Sequence, residues 1–244
     1  MSEDQISLNN PTPVRAKRIH ELLVAYYGEP TWRNPLPAVD ELISTILSQN
    51  TNDQNRDRAF HQLRQRFHSW EEVRDAPIED LIAAIRSAGL ARQKAPRIQN
   101  VLRAITDQRG QIELDFLREL PSQQALEWLQ QFNGVGPKTA AIVLLFSLNK
   151  PAFPVDTHIL RVTKRLGLIP PNTTAEQAHL ILADTFEPMH YGTDHLNIIR
   201  LGREICQARK PKCEICPLKG ECVYFQNNPP QLNNTRSLKN SSTV

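Results

Sequence analysis

The sequence predicts an all-α protein whose helices are joined by short connections. Three observations carry that reading. Apolar residues recur at helical spacing: Val39, Leu42, Ile43, Ile46 and Leu47 follow the i, i+3, i+4, i+7, i+8 series of one helix face, and Ile78, Leu81, Ile82 and Ile85 repeat it. Strand signals are sparse, with aromatics at 6% and few alternating β-branched runs. Helix boundaries are marked in the residue types. Ser69 with Glu72 and Thr174 with Gln177 have capping-box spacing, and Ser122 is placed to cap a helix carrying Leu126 and Leu129. Pro137 suits the first turn of a helix running from Thr139 to Leu148, and Gly89 is placed to stop the helix that begins near Ile78.

Length and composition bound the class of protein. A chain of 244 residues makes one or two domains at ~100–200 residues each. Hydrophobic residues at 40% and charged residues at 23% are an ordinary globular mixture, which excludes a wholly disordered chain. The longest nearly apolar run, Ala140 to Leu148, is far short of the ~20 residues that span a bilayer. The opening MSEDQISLNN has no basic-then-apolar region, so a cytoplasmic location is expected. Residues 1–12 and 226–244 are polar and rich in Asn, Ser and Pro, and are expected to be loose tails. A net charge of +3 permits a nucleic-acid partner without requiring one, so the placement of charge matters more than its sum.

Two constellations carry chemistry. Gly134 and Gly136 lie two apart between two helices, where a glycine pair supplies positive φ and close backbone approach. The amides of Gly134, Val135 and Gly136, beside a helix N-terminus, suit a phosphate oxygen. Lys138 follows at the start of that helix, where the positive end of the helix dipole and partial burial lower a lysine pKa and favour nucleophilic, Schiff-base chemistry. Asp156, in PVDTH, suits an N-cap and equally a carboxylate that stabilises positive charge or moves a proton. His158 is expected as a groove or surface residue at that helix start. The second constellation is Cys206-x6-Cys213-x2-Cys216-x5-Cys222, the only four cysteines of the chain. Four thiols within so short a segment read as ligands of one metal centre, and by chemistry alone both zinc and a 4Fe–4S cluster fit. The loop QARKPK between the first two cysteines places Arg209, Lys210 and Lys212 beside that centre, where they can offset its charge or meet phosphates.

Together these elements resemble endonuclease III, of the helix–hairpin–helix DNA glycosylase superfamily. Four passages carry the resemblance: LISTILSQNTNDQNRDRA, SAGLARQKAPRI, LQQFNGVGPKTAAIVL with PVDTHILRV, and the cysteine array. The lysine and aspartate stand eighteen positions apart, and the cysteine spacing matches the family's iron–sulfur motif. The resemblance implies a 4Fe–4S cluster on Cys206, Cys213, Cys216 and Cys222. It implies two helical domains, a six-helix domain over 31–149 and a second domain made of 13–30 plus 150–225, with a DNA-binding cleft between them. It implies a monomeric bifunctional enzyme of base excision repair, acting on double-stranded DNA with oxidised pyrimidines or abasic sites. Lys138 would be the nucleophile that forms an imine and leads to β-elimination, with Asp156 assisting. Gly134, Val135, Gly136, Thr139, His158 and the basic loop would contact DNA. Leu90 matches a residue that wedges into the duplex. Where the family has a gap-filling glutamine this chain has Asn50, with Gln49 one place earlier; side chains one apart on a helix point about 100° apart, so either is a candidate.

Three other readings compete. A monofunctional mismatch or adenine glycosylase of the same superfamily would generally lack a lysine at position 138. A non-enzymatic DNA-binding module would have no use for both Lys138 and Asp156. A zinc-stabilised scaffold would be colourless and free of iron.

Overall fold

The computed structural model describes residues 12–31 and 35–228. Among these every regular element is helical, as the periodicity predicts: α1 (Thr12–Tyr27), α2 (Ala38–Ser48), α3 (Asp53–Arg66), α4 (Trp70–Asp75), α5 (Ile78–Ala84), α6 (Ala91–Arg109), α7 (Ser122–Gln130), α8 (Pro137–Phe146), α9 (Thr157–Leu166), α10 (Ala175–Thr185), α11 (Tyr191–Glu204) and α12 (Val223–Asn227). No helix among them is long and apolar enough to cross a membrane. The expected tails fall largely outside the described residues, but Thr12 opens α1 and Gln226 and Asn227 close α12.

The boundary residues act mostly as their chemistry dictates. Thr174 and Gln177 form a complete capping box, with the Gln177 amide N–H donating to the Thr174 hydroxyl at 3.2 Å and the Thr174 N–H donating to the Gln177 side chain at 3.0 Å. Ser69 caps α4, but the Glu72 carboxylate accepts from His68 N–H at 2.7 Å, so the box closes one residue early. Ser122 is already the first residue of α7 behind Pro121 and makes no cap bond. The helix from Ile78 ends at Ala84, a 3-10 turn (Arg86–Ala88) follows, and Gly89 with φ +67° ends that turn instead. The helix after Pro137 stops at Phe146, two residues before the expected Leu148.

Buried apolar side chains form two clusters. One draws on residues 38–152, including Leu42, Ile46, Leu81, Ile98, Leu102 and Leu129. The other joins Ala16, Ile19 and Leu23 of α1 to residues 153–218. The first region holds seven helices, α2 to α8, rather than six, because the α4 and α5 segments are short separate helices.

The helix α8 belongs to both clusters. Its sequence PKTAAIVLLF is apolar on all sides, the pattern of a fully enclosed helix. Ala140, Ala141, Val143 and Leu144 enter the first cluster, and Leu145 packs against the second. It lies on α2 and α7 on one side and meets α10 and α11 on the other.

The N-terminal helix is fixed to the second cluster by buried polar ties as well. Arg15, 4% exposed, donates to the carbonyls of Leu166, Gly167 and Glu221. It therefore closes the C-terminus of α9 and reaches the segment between the last cysteines. His20 Nδ1 lies 2.7 Å from Oδ1 of buried Asp194 on α11. Removing the guanidinium strands three carbonyl acceptors. Arg15→Met is expected to lower unfolding stability by on the order of 3 kcal/mol, read from urea denaturation monitored by circular dichroism.

Candidate nucleic-acid interface and metal centre

The hairpin between α7 and α8 is built by one glycine and one internal hydrogen bond. Val135 N–H donates to the Phe132 carbonyl at 3.0 Å, and the Val135 side chain is buried. This corrects the expectation that its amide is available to a phosphate. Gly134 has φ +88°, and a Cβ there would stand 2.0 Å from Cδ of Arg97, so both backbone angle and space demand glycine. Gly136 differs from the expectation of a second positive φ: it is extended (φ −88°, ψ 179°), exposed, and has nothing within 4 Å of a built Cβ. It is the N-cap of α8, so its exposed backbone stands at the positive end of a helix. Pro137 is the first helical residue, and half-buried Lys138 follows on the first turn. Thr139, next on that turn, is 5% exposed.

Asp156 caps α9, its Oδ1 accepting from Ile159 N–H at 2.8 Å. The segment leading to it is pinned by two histidines that sequence patterning missed. His179 of α10 donates from Nδ1 to the Phe153 carbonyl at 2.8 Å, and His195 of α11 donates from Nδ1 to the Pro154 carbonyl at 3.0 Å. Burial pushes His195 down to about 4 and His179 below the usual imidazole range, so both rings are neutral donors at neutral pH. Beyond burial, Asp156 pulls His195 up while Lys138 pushes it down. One buried imidazole thus lies within electrostatic reach of both groups, which brings Lys138 and Asp156 to a common neighbourhood. His158 is half-buried and its Nδ1 lies 3.1 Å from Nη2 of Arg161, which also donates to the Gly202 carbonyl. Gly202 lets α11 approach, since a Cβ there would sit 2.9 Å from His158 Cβ.

Two more exposed turns flank the hairpin. Asn50 ends the turn after α2 with φ +53°, and Leu90 begins α6 with φ +50° and 45% exposure. Leu90 is therefore not a buried helix-end leucine. Among the described residues only four non-glycine residues have positive φ, and Asn50, Leu90 and Lys210 are three of them, which ties backbone strain to the positions the sequence singled out. Buried Lys94 holds the two turns together: its ammonium donates to the Leu47 carbonyl at 2.7 Å and the Ala88 carbonyl at 2.8 Å. Burial lowers its pKa to about 8. Gln49 does not point away as Asn50 does. Its Nε2 donates to the Gly134 carbonyl at 3.1 Å, and its Oε1 accepts from Arg97 at 2.6 Å. Lys94 and Arg97 left no sequence signal beyond their charge, because the turn after α2 that each of them ties lies 47 or 48 positions away.

Cys206, Cys213, Cys216 and Cys222 line one small, largely apolar pocket with Ile205, Pro211, Tyr224 and Phe225. None of the four is in a disulfide. Burial pushes Cys216 up to about 11 and raises Cys213 and Cys222, so thiolate formation here needs a metal to stabilise it. Arg165 anchors the surrounding loop, donating to the Gln207 carbonyl at 2.8 Å, the Ala208 carbonyl at 3.1 Å and Cys206 Sγ at 3.3 Å, and lying over the Tyr224 ring. Arg209, Lys210 and Lys212 are exposed on that loop. A convergent four-thiol, cation-flanked, mostly dry pocket fits an iron–sulfur cluster.

Comparison with known proteins agrees with this geometry. Residues 43–188 match the HhH-GPD superfamily base excision DNA repair protein family, and residues 206–222 match the iron–sulfur binding domain of endonuclease III. The chain belongs to the HhH-GPD superfamily of base excision DNA repair proteins. Within it, the chain is a DNA glycosylase of the endonuclease III family, and its four cysteines hold a 4Fe–4S cluster. It is 36% identical over 185 residues to endonuclease III of Thermotoga maritima, covering 76% of this chain and 82% of that protein. It is 35% identical over 192 residues to a plant DNA glycosylase of Arabidopsis thaliana, of which it spans 65%. A solved trapped covalent intermediate of endonuclease III with DNA superposes with a TM-score of 0.74 at 27% identity, covering 89% of this chain and 99% of that one.

The two hairpin glycines are expected to separate on substitution. Gly134→Ala should cost about 1–3 kcal/mol from its backbone angle alone. Gly136→Ala should leave the thermal midpoint unchanged, which differential scanning fluorimetry checks.

Proposed function

We propose that this chain is a bifunctional DNA N-glycosylase and abasic-site lyase that removes oxidised pyrimidines from double-stranded DNA. The observation that carries the reading is the pairing, in a relative of endonuclease III, of a lysine at the start of the hairpin helix with an aspartate fixed at the start of α9. Lys138 stands on the first turn of the hairpin helix, and Asp156 is held rigid as a helix cap. An acid–base pair fixed on two helix starts is suited to attack on an anomeric carbon.

The chemistry follows from those groups. Lys138, as the neutral amine, attacks C1′ of the damaged nucleotide. The bond from C1′ to the base breaks, and the base departs with the electron pair and is protonated. The lysine nitrogen loses its proton, the ring oxygen leaves C1′, and a protonated imine joins Nζ to C1′. Loss of a C2′ proton then expels the 3′ phosphate by β-elimination and cuts the strand. Asp156 stabilises the positive charge that develops on the sugar and carries protons between steps. The cluster, when bound, supplies a rigid anchor for the basic loop and takes no part in bond cleavage.

The two buried clusters support a division into domains 31–149 and 13–30 with 150–225, with DNA in the cleft between them. The Gly134 and Gly136 amides would receive a backbone phosphate beside the α8 N-terminus, while Val135 and Thr139 shape the hairpin from within. Leu90, a strained and exposed leucine, would enter the stack as the lesion leaves it. Asn50, exposed and with no Arg97 tie, would meet the opposite strand. His158 would line the cleft through its contact with Arg161. Arg209, Lys210 and Lys212 would meet phosphates.

Borohydride trapping on duplexes carrying thymine glycol or an abasic site tests the chemistry. A covalent protein–DNA adduct is expected on both, and none with Lys138→Ala, while binding to abasic DNA persists. Strand cleavage by Lys138→Ala at the wild-type rate would overturn the assignment. Neutralising Arg209, Lys210 and Lys212 together is expected to flatten the plot of log affinity against log salt by roughly 0.9 per lost phosphate contact. An unchanged slope would remove the loop from the interface.

A further inference from the structure

Two turns of this protein meet at one side chain that the chemistry above does not use. Arg97 lies on α6, two turns beyond Leu90. Its Nη1 donates to Gln49 Oε1 at 2.6 Å, at the end of α2 and next to Asn50. That contact fixes the orientation of the amide, because the guanidinium has no acceptor and must face the oxygen. The amide nitrogen is thereby aimed at the Gly134 carbonyl, to which it donates at 3.1 Å. The arginine stem crosses Gly134 so closely that only a residue without Cβ fits beneath it. One guanidinium therefore joins the wedge helix, the turn after α2 and the hairpin.

We infer that Arg97 is a positioning residue for opposite-base recognition: it sequesters Gln49 against the hairpin and leaves Asn50 alone to meet the base opposite the lesion. The inference rests on the DNA-repair reading above. Its physical content is a choice between two adjacent amides. With the tie intact, the shorter asparagine, held at positive φ, is the exposed group. With the tie cut, the longer glutamine is released beside it and competes for the same space. A charge-assisted hydrogen bond is strong enough to decide that competition.

The test is the affinity of full-length protein for duplexes carrying a tetrahydrofuran abasic analogue opposite A, C, G or T, which needs no catalytic turnover. The expected wild-type result is unequal affinities whose spread collapses in Asn50→Ala. Arg97→Leu should change the ratio of strongest to weakest partner by about fivefold or more, the scale of one lost charged hydrogen bond. Gln49→Ala, which leaves no glutamine to release, should keep the wild-type ratio within about twofold, and the double variant should return to it. Arg97→Lys, which keeps a donor, should restore part of the wild-type ratio. If Arg97→Leu does not fold, Arg97→Met takes its place. A ratio unmoved by loss of the guanidinium, or a double variant that stays at the ratio of the arginine variant, would overturn the inference. Trapping with the same proteins separates the two readings: wild-type protein that discriminates opposite bases but forms no adduct fails the lyase assignment and not this one.

Discussion

The burial of α8 on every side is the constraint from which the rest of the molecule follows. A helix with apolar residues all round has no face to give to solvent, so it needs partners on both sides. Here α2 and α7 supply one side, and α10 and α11 the other. Two cores that share a helix cannot slide independently. Whatever projects from the end of that helix is placed with the accuracy of both. The end that projects is the start, where Pro137 sets the entry and Lys138 follows.

Much of this was legible from the sequence because it is written in local chemistry. The cap at Asp156, the proline at the start of α8, the box at Thr174 and Gln177 and the cysteine spacing each need only a few neighbouring residues to be read. The helix faces at Val39–Leu47 and near Ile78 declare themselves by period. Local chemistry misleads where two signals compete. Ser122 loses its capping role to Pro121, which already sets the extended entry to α7. Gly136 looks in sequence like a conformational necessity, yet its backbone is ordinary and only the space around it is unusual. Val135 spends its amide inside the hairpin because a turn must satisfy its own backbone before it can serve a ligand.

What was not legible is the long-range polar wiring. Lys94, Arg97, Arg161 and Arg165 look in sequence like solvated surface charges. In the fold each closes backbone carbonyls or a side-chain amide far away in the chain. Such partners have no spacing rule, so no pattern can announce them. The same holds for His179 and His195, whose role comes from the carbonyls of Phe153 and Pro154 that meet them. These cations and imidazoles are spent on geometry, which leaves Arg209, Lys210 and Lys212 as exposed charge on the cluster loop.

The composition of the second core bears on how the chain is made. That core needs Ala16, Ile19 and Leu23 from the start of the chain together with residues out to Leu218 near its end. A growing polypeptide can assemble the first core once residue 152 has emerged, because all of its members lie between 38 and 152. The amphipathic α1, made before that core, must then wait beside a finished neighbour with its apolar face and Arg15 unmatched. Synthesis order and assembly order are thus opposed in this molecule. The interval before the last cysteines appear is when α1 is most open to association with other chains.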